Sequence, residues 1–179
     1  EDVVAEQVHV NAVLLENGDL RIEETATFTY KDRGRDWWNF YRTFRSGEIA
    51  NISDISVFDH DYEQVYDFTN NYSPSNWPDS STPFNTCYLV NDYGWEVGFN
   101  FPAMVKGQRT FTLRYTLSGV RQSEKYSDVD VLYFKFVQEN TYPIQSLIQI
   151  SEHTRQEANS YDVFCWNKKI NYTTNNYTT

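Results

Sequence analysis

Cations are scarce in this sequence: 15 lysines and arginines stand against 25 aspartates and glutamates, for a formal net charge of −10. A nucleic-acid partner is disfavoured, because binding phosphate needs a basic surface. Direct docking on anionic lipid is disfavoured for the same reason. No apolar run approaches the roughly 20 residues of a membrane helix, and no signal peptide is read; the opening EDVVAEQV reads as a mature or trimmed end. Cysteine is down to Cys87 and Cys165, with no CxxC or His/Cys spacing of a zinc site. Their surroundings, TCYLV and VFCW, both read as strands, so either a disulfide between strands or two buried thiols fits. His9, His60 and His153 are scattered. There is no Gly-x-Ser-x-Gly elbow, phosphate loop or dinucleotide fingerprint, so neither a nucleophile nor a cofactor is expected.

Aromatic residues are plentiful: 14 Tyr, 12 Phe and 5 Trp in 179 residues. They favour strands and large packed cores, and the length suits one domain with a real interior. Period-two alternation dominates. Val8, Val10, Ala12 and Leu14 make an apolar row that ends at Asn17-Gly18, a hairpin signal. Strands follow at 20–30 and 37–44, with Trp38, Phe40 and Phe44 in one row. Further strands are expected at 52–59, 62–68, 86–91, 93–101, 109–117, 129–137, 144–150 and 161–166, with Pro102 and Gly107 marking a turn.

About ten strands separated by turns predict an all-β, antiparallel β-sandwich, immunoglobulin-like or related, with a closed barrel as the alternative. A single domain over 1–170 is expected, with a polar, frayed tail at 171–179. Residues 69–85 form a long loop with three prolines, and 151–159 is a weak helix candidate.

Two charges break the apolar rows. Glu24 stands in the row of Leu20, Ile22, Ala26, Phe28 and Tyr30, and Arg42 in the row of Trp38, Phe40 and Phe44. If 31-KDRGRD-36 closes a hairpin, the two lie nearly opposite on neighbouring strands. A buried carboxylate stays charged when an arginine bonds it. Glu24 and Arg42 are therefore expected to form a structural ion pair that fixes register.

Other polar groups are weighed against solvated turns. Asp59, Asp61 and Glu63 in 58-FDHDYE-63 offer oxygens to a hard cation, but the glycine and remaining ligands of a calcium loop are missing; a solvated turn is the expectation, as it is for Asp128 and Asp130. Glu24, Asp92 and Glu96 are the carboxyls a glycosidase would draw on, yet Glu96 alternates against Trp95, Val97 and Phe99 and should face solvent. Tyr72, Trp77 and Tyr93 are candidate ligand-contact aromatics in or near the long loop.

The order of the strand motifs resembles the DUF2207 family of predicted membrane proteins. Gly18-Asp19-Leu20-Arg21-Ile22-Glu23-Glu24 with Phe28 and Tyr30 is similar to the family's opening. Phe40-Tyr41-Arg42, Ile52 to Phe58, Phe111-Thr112-Leu113-Arg114-Tyr115 with Gly119-Val120, Asp130 to Phe134, and Tyr142-Pro143-Ile144 follow in order. The resemblance spans about residues 7–150; residues 59–93 are particular to this chain, and the match after 150 is poor. It implies an extracytoplasmic β-rich domain of a bacterial envelope protein, preceding transmembrane helices beyond residue 179 that anchor it, with no enzymatic activity carried over. The expectation is a non-catalytic interaction module with a protein or envelope partner. The alternative is a glycan-binding or glycan-active domain working through the 69–85 loop.

Overall fold

The Asn17-Gly18 turn closes as its chemistry demands. Gly18 has φ +89, the Asp19 N–H donates to Asn17 Oδ1 at 2.9 Å, and Leu15 N–H donates to Asp19 O at 2.8 Å. The turn joins β1 (Val3–Leu14) to β2 (Leu20–Tyr30), which pair antiparallel over eleven residue pairs. The computed structural model describes residues 2–15, 17–69, 83–120, 124–125, 129–133, 144, 147–153 and 163–167; beyond 120 only backbone placement is described, Ile144 apart.

The strands that follow are β3 (Trp37–Arg45), β4 (Asn51–Asp59), β5 (Gln64–Val65), β6 (Asp67–Thr69), β7 (Thr86–Asn91), β8 (Gly94–Met104), β9 (Gly107–Ser118), β10 (Glu124–Lys125), β11 (Val129–Tyr133), β12 (Leu147–His153) and β13 (Val163–Asn167). They build a six-stranded sheet ordered β12-β1-β2-β9-β4-β5, a four-stranded sheet ordered β3-β8-β7-β6, and a three-stranded sheet ordered β10-β11-β13. The first two pack together as an all-β sandwich, and there is no helix among the described residues.

Alternation supplies the core. From the six-stranded sheet come Val8, Val10, Ile22, Phe28, Phe111, Leu113 and Tyr115; from the four-stranded sheet come Phe40, Phe44, Val97, Phe99 and Phe101. Aromatic rings lock the layers together. Phe28 meets Phe40 at 5.0 Å between centroids and Phe99 meets Phe111 at 4.8 Å. Burial of each such side chain contributes about 1.5–3 kcal/mol, and each ring pair roughly 0.5–1.5 kcal/mol more.

Several expectations are corrected. The sandwich is mixed rather than purely antiparallel, since β1–β12 and β6–β7 pair parallel. The expected strand at 62–68 is two short strands, because Tyr66 between them turns into the core. Ser151–His153 continue β12 where the start of a helix was expected; residues 154–159 lie outside the described residues, as do 70–82 of the long loop and the 171–179 tail.

Pro102 stands inside β8 rather than in a turn. It falls at a bulge, where the register with β3 jumps from Asn39↔Asn100 to Trp37↔Met104; a residue without an N–H is tolerated at such a break. The same bulge brings Trp37 against Tyr30 at 5.1 Å, whereas Trp38 is buried outside the inter-sheet core.

Candidate functional site

Glu24 and Arg42 meet in the interior. They are 2% and 4% exposed. Arg42 Nε donates to Glu24 Oε2 at 3.0 Å, and Nη2 donates to Oε1, so the fork is bidentate. The Arg42 guanidinium carbon also sits 4.8 Å from the Phe40 ring centroid.

The route to this contact differs from the expected hairpin. Both edges of β2 are occupied, by β1 and β9, where Glu24 registers with Val10 and Leu113. Strand β3 therefore cannot join it. Residues 31–36 instead carry the chain to the other sheet, where Arg42 registers with Val97. The ion pair spans the sandwich, and between it and the link a similar reflection sets Tyr30 against Trp37 and Phe28 against Phe40.

A second charged cluster closes one side of the same core. Asp59 is 0% exposed, and four donors reach its carboxylate. Asp61 N–H and Tyr62 N–H donate to Oδ1 at 3.1 and 3.3 Å. Tyr66 Oη donates to Oδ2 at 2.6 Å, and Arg109 Nη2 donates to the same oxygen. Arg109 Nε lies 3.4 Å from Asp61 Oδ2, a charge contact without hydrogen-bond geometry, and Thr110 N–H donates to that Asp61 oxygen at 2.8 Å. The Arg109 guanidinium faces the rings of Tyr62 (4.7 Å), Phe111 (5.0 Å) and Phe101 (5.6 Å). Burial, the hydrogen bond to Asp59 and the Asp59 charge together push the Tyr66 hydroxyl well above its ordinary pKa.

Asp59 is thus withdrawn from the solvated turn, its oxygens taken up by Arg109, Tyr66 and two backbone N–H groups, whereas Asp61 stays exposed on that turn with Oδ2 held by Thr110 N–H. Glu63 is exposed, with φ +50. No group of three or more metal-ligating side chains occurs among the described residues.

The alternating rows hid Asp59 for a physical reason. A bulge between Ser53 and Ser56 in β4, with Asp54 at φ +54, shifts the phase of the strand. Ile52 points inward before it and Val57 and Asp59 after it. Arg109 did carry a readable signal, because it stands in the row of Phe111, Leu113, Tyr115 and Leu117.

The remaining candidates do not converge. Tyr93 is 99% exposed at the β7–β8 turn, while Tyr72 and Trp77 lie outside the described residues. Asp92 is exposed on the same turn. Glu96 is half-buried rather than solvent-facing and accepts from Tyr88 Oη at 2.9 Å. Tyr88 lies across Gly98, where a Cβ would stand 2.5 Å from its hydroxyl and 2.7 Å from Phe40 O. Cys87 is a buried free thiol, and burial pushes its pKa up to about 11; the side chain of Cys165, the other half of the disulfide weighed from the sequence, lies outside the described residues. His60 Nε2 bonds Thr112 Oγ1 at 2.7 Å on the outer face, and Asp128 and the Asp130 side chain are outside the described set.

No curated protein matches this sequence. Among solved structures it is similar to a crystal structure described as a "putative protease" from Parabacteroides distasonis, with a TM-score of 0.43 and 8% identity over 85% of this chain. The chain spans 29% of that protein's length. The family model for the N-terminal domain of the predicted membrane proteins DUF2207 matches residues 5–176, and the chain belongs to that family.

Proposed function

We propose that this chain is a non-catalytic extracytoplasmic module of a membrane-anchored bacterial protein, one that holds or contacts another component of the envelope. The observation that carries the reading is the use made of the buried charges. Glu24 and Asp59 each carry an arginine inside the sandwich, so the two carboxylates buried among the described residues serve the fold rather than a substrate. Membership of a predicted membrane-protein family supports anchoring. An acidic domain of this size presents no charge barrier to translocation, since long segments cross largely regardless of charge.

The test uses the full-length protein in its own membrane. Tyr93→Cys places a thiol on the most exposed large hydrophobic position, while native Cys87 is buried with its pKa raised and reacts poorly. A membrane-impermeant maleimide applied to intact protoplasts should label the variant above the wild-type background. Labelling that appears only after lysis overturns the extracytoplasmic placement.

A further inference from the structure

The pairing of β1 with β12 has a mechanical meaning. The two strands are parallel and in unbroken register over seven pairs, from Val8↔Leu147 to Leu14↔His153. Strand β1 enters from the pole of the 31–36 link, because Val3 registers with Tyr30. Strand β12 leaves at the opposite pole, beside the β1–β2 turn, because His153 registers with Leu14. Tension between the start of β1 and the end of β12 therefore runs along the strands.

In that direction the backbone bonds between the two strands are stretched together. Parallel ladders have evenly spaced bonds, so no single one meets the load first. Pulled sideways, the same bonds open one after another. The first strand is held on its other edge as well, by its eleven pairs with β2. It also buries Val8, Val10 and Ala12, each 0% exposed, so sliding would drag an apolar row out of the core.

We propose that the β1–β12 ladder is a shear clamp, through which the domain resists tension applied along the chain from its N-terminal strand to β12. This rests on the membrane-anchored reading above, in which a module tied to a membrane and gripping a partner is placed under tension. The ladder would let such a tether hold without unfolding.

Single-molecule pulling on the full chain tests it, with Cys165→Ser to leave Cys87 as the one native thiol, buried from the handles. One variant carries handles at Asp2→Cys and Glu152→Cys, which load the ladder in shear. A second carries them at Asn17→Cys and Glu152→Cys, both at one pole, which peel β12 from β1. At equal loading rate the shear geometry should rupture at a several-fold higher force. Full unfolding between its handles should release roughly 500 Å of chain, about 150 residues of extended backbone. Equal forces in the two geometries, or a low-force release of β12 in shear before that event, would overturn the clamp. Maleimide labelling of Tyr93→Cys reports on the anchored reading independently, so the two can fail separately.

Discussion

The two buried ion pairs solve the same problem in opposite ways. Glu24 depends on one residue: both of its hydrogen bonds come from Arg42, on the other sheet. Asp59 is held by four donors, of which Tyr66, Asp61 and Tyr62 lie within seven residues of it in sequence. The first pair ties the sheets together and has no substitute partner for its acid among the described residues. The second is a local cage that Arg109 completes. A carboxylate served by one distant residue is exposed to the loss of that residue, whereas one served by its own turn is buffered.

Arg42→Ala should therefore be the most damaging change, costing about 3–5 kcal/mol, because it strands a buried charge. Chemical denaturation at neutral pH measures it, and the double variant Glu24→Leu/Arg42→Met should recover most of the loss, since matched apolar residues remove both charges. Arg109→Ala should cost less, about 2–3 kcal/mol, because Asp59 keeps Tyr66 and two backbone N–H groups. If Arg109→Ala proves as costly as Arg42→Ala, the buffering is not real.

Tyr66→Phe should cost about 1.5 kcal/mol, one hydrogen bond to a charged acceptor. It should also change the alkaline limb of stability. The folded-state pKa of Tyr66 is raised, so the folded chain binds this proton more tightly than the unfolded chain. That contribution is complete below the unfolded value near 10 and is lost as pH rises above it. Denaturation midpoints followed from pH 9 upward should fall less steeply in Tyr66→Phe than in the wild type. The smallest effect belongs to Arg114→Ala. Its pair with Glu23 is 55% and 42% exposed, and such pairs contribute within about 0.5 kcal/mol.

Both pairs are exceptions in apolar rows, yet only one was legible. Glu24 and Arg42 sit in strands whose alternation is unbroken around them, so the wrong residue type in the right place announced itself. Their partnership was also legible, since reflection about residues 31–36 brings them together whether the strands pair edge to edge or face to face. Which of the two occurs was not legible. It depends on β9, far along the chain, taking the free edge of β2.

Arg109 carried the same kind of signal as Arg42, but its partner did not. A backbone irregularity at Asp54 moved Asp59 to the inner face, and no side-chain pattern marks that irregularity. Likewise the parallel placement of β12 is a long-range choice. The expected helix start at Ser151 reflects local capping chemistry that sheet pairing overrode.

The bulge in β4 makes strand length matter as much as strand composition. Straightening the strand at its full length, with no extra residue looped out between Ser53 and Ser56, would slip everything after it by one place, turning Phe58 inward and Asp59 toward water. Loss of one of the two residues between Ser53 and Ser56 would instead remove the bulge and keep Ser56 opposite Arg114 and Asp59 opposite Phe111, so the buried cage tolerates a shorter β4 but not an unbulged one of the same length.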